Sequence, residues 1–461
     1  MPTKRSKMPF PAVGIVAATT LAVVAAGALA VPGYAADSSA PAMPQPGDTT
    51  SVLAPLSSSA STQPTQAGLA QALSGPLSSK ALGPNIRVAV FDTDTGTLVY
   101  DQGAGNAATP ASTNKLLTSA AVLQAYGPDY RLKTSVVRDS STGAIVLVGG
   151  GDPMLRSTPP KADDPEAASL SALADQTANA LKSAAGTGGE TPTTITATLN
   201  FDDSLFSGPR TAPSWPAAYV AANLVSPITA LMVDGGGGAD PARAAATKFA
   251  ALLKQRGIAV NGAPNRATAQ AGSAEVAAVN SAALSGVVGH TLTMSDNTAA
   301  EMLGHLAGVK NGGSGSFAGG VSAVMKTLTD LGVSTDGVHL VDGSGLSRED
   351  QIPARTIGQV LNQAAVGSSD QLWPVIYGMP IAGFTGTLAT RFVAPATKPG
   401  RGEVRAKTGT LTGVSSLAGL VADNSGDLLT FVLMAPTAAD VIGAQVSWDR
   451  ATAALAQCGC K

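Results

Sequence analysis

At 461 residues the chain is too long for one ordinary domain, and two or three are expected. Apolar residues make up 44% and charged residues only 13%, enough to build a sizeable core. The formal net charge of −2 excludes the basic footprint of a nucleic-acid-binding protein.

Lys4, Arg5 and Lys7 precede an apolar stretch over 12–31, and the small residues Gly33, Ala35 and Ala36 follow it. That order predicts a secretory signal peptide over 1–36. The apolar stretch is also long enough to span a bilayer, so an uncleaved anchor is the second reading, and either one exports the body of the protein. Residues 37–66, rich in Ser, Thr, Pro and Ala, predict a disordered linker.

A helix is expected at 67–81, followed by a β-hairpin whose strands at 87–92 and 97–100 flank Thr93-Asp94-Thr95-Gly96. Pro110 and a polar opening predict a helix over 111–125, ended by Tyr126-Gly127-Pro128. From about 129 the texture changes. Strands are expected at 132–137, 144–148 and 194–201, a polar loop at 156–166, helices at 168–184 and 241–255, and a Gly-rich turn at 235–238. Residues 129–278 are read as an inserted α/β module. Beyond it come a helical region at 291–303, helices at 317–331 and 353–365, an antiparallel meander at 403–408, 415–421 and 428–434, and a last helix at 438–456. Pairing the meander with the early hairpin gives a five-stranded antiparallel sheet with helices on its faces. This α+β domain, built from 67–128 and 279–461, would carry the Ser112 helix at the sheet edge.

Three motifs carry the chemistry. Ser112 and Lys115 stand three apart on a helix, with Cβ atoms about 5–6 Å apart. A serine hydroxyl is a weak nucleophile that needs such an adjacent base. Ser295-Asp296-Asn297 lies between helical segments, and Lys407-Thr408-Gly409-Thr410 closes a strand. S-x-x-K, S-D-N and K-T-G in this order are the set of penicillin-binding proteins and class A β-lactamases. Ser112 attacks a carbonyl and Lys115 takes its proton, kept neutral by a second cation, Lys407, in a partly dry cleft. Ser295 relays a proton to the leaving amine, while Asn297 orients Lys115 and the substrate backbone. Lys407, Thr408 and Thr410 bind a terminal carboxylate, Gly409 permits close approach, and the Ser112 and Thr410 N–H groups form an oxyanion hole. The histidines, His290, His305 and His339, lack metal-ligand spacing and an acidic partner at a fixed offset, so they are read as structural and no metal is expected. Cys458 and Cys460 are read as two thiols on a frayed tail with no catalytic role, although an oxidising compartment would permit a small disulfide ring.

With these motifs, the blocks Gly150-Gly151-Asp152-Pro153, Phe201-Asp202-Asp203-Ser204, Ala300-Glu301, Asp342-Gly343-Ser344-Gly345-Leu346, Ile381-Ala382-Gly383 and Gly386-Thr387-Leu388 resemble the S13 peptidase family. These are D-alanyl-D-alanine carboxypeptidase/endopeptidases, the low-molecular-mass class C penicillin-binding proteins. The long gap between Ser112 and Ser295, where this family carries an insertion, fits the same resemblance. The resemblance covers roughly 67–461. It implies a β-lactamase/DD-peptidase-like fold and a serine-type D-Ala-D-Ala carboxypeptidase acting through an acyl-enzyme at Ser112. It also implies peptidoglycan stem peptides as substrates, β-lactams as acylating inhibitors, no cofactor and an extracytoplasmic location. A β-lactamase would need a deacylating base, and nothing around Glu349 resembles the expected loop. A non-catalytic wall-binding scaffold would not need Ser112, Lys115, Ser295, Asn297 and Lys407 intact.

Overall fold

The computed structural model describes residues 64–159, 167–186, 195–367 and 370–460. The expected signal peptide, nearly all of the linker and most of the 156–166 loop lie outside the described residues. Among the described residues no helix is long and apolar enough to cross a membrane.

The first sheet has five antiparallel strands in the order Arg405–Leu411, Val414–Ala422, Leu428–Ala435, Arg87–Asp92, Leu98–Gln102. It joins the meander to the early hairpin, as expected. Its central strands read as almost unbroken apolar runs because both faces are buried. Val88 and Val90 join Phe431 and Leu433 on one face, packed under Leu69 and Leu73 of the Gln66–Leu77 helix and Trp448 and Leu455 of the Val441–Ala456 helix. Ala89 and Phe91 join Val432 and Met434 on the other, against Leu116, Leu117, Leu303, Ile357 and Leu361. This period-two alternation sends one strand into two cores.

The second sheet runs Ala274–Ala283, Arg131–Arg138, Ile145–Val148, Leu199–Asp202, Asn265–Arg266. Its first pairs are antiparallel and its last two parallel. Its own core sets Val136, Leu147 and Phe201 against Leu173 and Leu181 of the Leu170–Gly186 helix and Phe249 and Leu253 of the Pro241–Gln255 helix.

Three details differ from the sequence reading. The 194–201 strand is two strands: Ile195–Ala197 pairs with Ile258–Val260, and Leu199–Asp202 joins the second sheet. The Ala274–Ala283 strand runs across the expected module boundary at 278. The tail is not frayed: Cys458 and Cys460 are bonded to each other and buried beside the Gln66–Leu77 helix, and the Cys460 carbonyl accepts from Thr65 N–H at 2.6 Å.

Candidate active site

Ser112 opens the helix differently from expectation. A 3-10 turn, Ala111–Asn114, precedes the α-helix Lys115–Tyr126. Ala111 is held at φ 50°, a left-handed conformation that costs a non-glycine residue strain. The neighbouring carbonyl is pinned from two sides, since Pro110 O accepts from Thr113 Oγ1 and from Ser416 Oγ, both at 2.7 Å. Gly409 lies against this turn. A Cβ there would overlap the Ser416 hydroxyl and come within 2.7 Å of Pro110 O, so only glycine lets the sheet edge come this close.

The Lys115 side chain is fully buried. Its Nζ lies 2.9 Å from Ser112 Oγ, 2.7 Å from Asn297 Oδ1 and 2.7 Å from the Ser344 carbonyl. The last two groups can only accept. A neutral amine therefore spends its two N–H bonds on them and turns its lone pair toward Ser112. Burial pulls the Lys115 pKa down to about 8, opposed by the charges of Asp342, Glu301, Asp296 and Asp350. The sequence reading gave this task to Lys407. Instead, the largest cause is burial, and the repulsion between the two lysines is felt at Lys407.

Ser295 takes a left-handed conformation, φ 57°, at the break between the helices Leu284–Met294 and Asn297–Asn311. Asp296 caps the second helix by accepting from Ala299 N–H at 3.0 Å. His290 does have an acidic partner, as its Nε2 lies 3.5 Å from Asp296 Oδ2. Asn297 Nδ2 donates to the Leu224 carbonyl at 2.8 Å, which fixes the amide with Oδ1 toward Lys115. The 129–278 segment thus reaches the site itself.

Lys407 is also fully buried, donating at 2.8 Å to Ser295 Oγ and to the Thr408 carbonyl. Burial, then repulsion from Lys115, holds its pKa well below the ordinary lysine value. Ser112, Ser295, Thr408 and Thr410 line one cavity of about 270 Å³ together with Thr387, Arg391 and Gln445. Thr408 Oγ1 donates to Thr387 Oγ1 at 2.9 Å, and Gln445 Nε2 to Thr410 Oγ1 at 3.2 Å. Arg391 is braced by a two-pronged pair with Asp449 and by a bond to the Gln445 carbonyl. Sequence reasoning gave these three residues no role. Only Thr387 had a signal, in the Gly386-Thr387-Leu388 block. Exposed Glu349 is not among the residues lining this cavity.

A serine hydrogen-bonded to a buried lysine, at the edge of a five-stranded sheet carrying a second lysine–serine pair, is the arrangement of the acyl-transfer class to which DD-peptidases belong. The comparisons refine that class. The model of the D-Ala-D-Ala carboxypeptidase 3 (S13) family matches residues 69–239 and 237–454. The chain is 36% identical over 476 residues to carboxypeptidase DacB of Mycolicibacterium smegmatis, covering 100% of this chain and 99% of that protein. It is 30% identical over 437 residues to a D-alanyl-D-alanine carboxypeptidase of Actinomadura sp., 74% of this chain and 76% of that one. The crystal structure of penicillin-binding protein 4 from Haemophilus influenzae shares the fold, with TM-score 0.65 at 21% identity over 82% of this chain and 97% of that one. The chain belongs to the D-Ala-D-Ala carboxypeptidase 3 (S13) family and is a D-Ala-D-Ala carboxypeptidase.

Proposed function

We propose that Ser112 is the nucleophile and Lys115 its base, acting on the D-Ala-D-Ala end of peptidoglycan stem peptides outside the cytoplasmic membrane. The observation that carries this is the buried Lys115 amine 2.9 Å from Ser112 Oγ, with its other two contacts to groups that only accept. Lys115 takes the Ser112 proton as Oγ bonds to the penultimate D-Ala carbonyl carbon. The oxyanion is received by the Ser112 and Thr410 N–H groups. Collapse breaks the C–N bond. The leaving amine takes a proton from Ser295, which is resupplied by Lys407 through their 2.8 Å bond. Water then cleaves the ester, its proton returning to Lys407 through Ser295, while Lys115 reprotonates Ser112. The protons balance over the cycle.

The substrate carboxylate meets the Thr408 and Thr410 hydroxyls, with the Lys407 charge beneath and Arg391 in the same wall. A peptide cross-link ending in the same amide bond presents the same carbonyl, so endopeptidase action belongs to this centre too. β-Lactams, whose carbonyl and carboxylate repeat this spacing, acylate Ser112. Haemophilus influenzae penicillin-binding protein 4, which has been crystallised with a β-lactam, supports that reading through its shared fold. Residues 1–36 serve as the export signal. Residues 129–278 form an inserted module that flanks the cleft and selects the peptide strand, a reading supported by their own core and by the reach of Leu224 to Asn297. The test is product analysis on a stem peptide ending in D-Ala-D-Ala. The full chain releases D-Ala and Ser112→Ala does not. Release by folded Ser112→Ala would overturn the assignment.

A further inference from the structure

Glu301 is buried on the Asn297–Asn311 helix one turn past Asn297, so both side chains leave the same face. Asn297 accepts directly from Lys115, whereas Glu301 is felt there through its charge. Its carboxylate instead accepts from two successive backbone N–H groups, Gly343 at 3.0 Å and Ser344 at 2.8 Å. The very next carbonyl along the chain, that of Ser344, accepts from Lys115 Nζ at 2.7 Å. The loop is fixed from other sides as well. Thr118 Oγ1 donates to Gly343 O at 2.7 Å, and Asn114 Nδ2 to Asp342 O at 3.0 Å. Asp342 in turn accepts from Gly345 N–H at 2.6 Å and Ser347 N–H at 2.7 Å. Gly345, at φ 78°, passes so close to the Ala111 carbonyl that a Cβ there would overlap it. The loop is therefore the floor beneath both Ser112 and Lys115.

We infer that Glu301 is a positioning residue: by gripping the Gly343 and Ser344 N–H groups it aims the Ser344 carbonyl at Lys115, and so turns the amine's lone pair toward Ser112. This rests on the proposed roles of Ser112 and Lys115. Glu301 touches neither the nucleophile nor the cleft, so its loss acts on the activation of Ser112 and leaves substrate binding alone.

Glu301→Met keeps the length but removes both acceptor oxygens, whereas the one oxygen of a glutamine can still reach both N–H groups, as Oε1 does at 3.2 Å and 2.8 Å. In the full chain Glu301→Met lowers kcat by about tenfold to a hundredfold, with KM held within about twofold. The acylation rate with benzylpenicillin falls by the same factor, because both reactions use the same activated serine. Parent-like kcat and acylation rate in folded Glu301→Met, or a loss confined to KM, would overturn the inference. If that variant does not fold, Thr118→Val removes a second tether of the same loop. It then lowers kcat alone by a smaller factor, and an unchanged kcat would overturn the inference. An adduct that survives Ser112→Ala is a separate result, striking at the nucleophile and not at Glu301.

Discussion

With Lys115 as the proposed base, its pKa should set the pH range of acylation. Burial brings its pKa to about 8, and only the neutral amine can accept the Ser112 proton. The acylation rate should therefore fall about tenfold per pH unit well below the midpoint, with the acid limb centred near 8. A limb centred near the ordinary lysine value would contradict the burial argument. Lys115→Arg should abolish acylation at every accessible pH, because a guanidinium keeps its proton. The spacing of Ser112 and Lys115 made this pair legible in the sequence, since a helix places i and i+3 on one face. Glu301, Arg391 and Gln445 were not legible as parts of one site. They come from separate segments, and no local pattern states that a carboxylate near 301 grips a loop at 343–344.

At the scale of elements, the break at Ser295-Asp296 places Asn297, and Asp296 secures it as the N-cap of the following helix. Asp296→Ala should cost about 0.5–2 kcal/mol in chemical denaturation and slow acylation, since Asn297 then sits on a frayed first turn. Gly409→Ala is a harsher change. Its new methyl overlaps the Ser416 hydroxyl and crowds Pro110 O, so the sheet edge must withdraw from the Ser112 turn. A cost of about 1–3 kcal/mol and a large loss of acylation are expected, and unchanged kinetics would contradict the close-approach argument. The sequence announced the Pro241–Gln255 helix well through apolar residues at helical spacing, and the structure adds Asp240 as its N-cap, accepting from Arg243 N–H at 3.2 Å. The sequence hid the Ala274–Ala283 strand, because in this alanine-rich run only Val276 and Val279 are of the β-branched or aromatic types that mark strands.

At the scale of the molecule, the two sheets have separate cores, and the 207–230 part of the segment between Ser112 and Ser295 reaches the loop beside the active site. Trp215 Nε1 donates to Asp342 Oδ2 at 2.8 Å, and Trp215, Val225 and Ile228 pack with Met302, Phe317 and Leu346. Trp215→Phe removes one donor from a buried carboxylate, so it should cost about 1–3 kcal/mol and slow acylation without removing any cleft group. Equal stability and equal rate would show that this contact does not support the loop. The central claim, a serine acyl-enzyme at Ser112, is tested most directly by intact-mass measurement of the full chain after exposure to benzylpenicillin, followed by peptide mapping. One stoichiometric adduct is expected on the peptide holding Ser112, and none in folded Ser112→Ala. An adduct on another residue, or one that persists in Ser112→Ala, would contradict that claim.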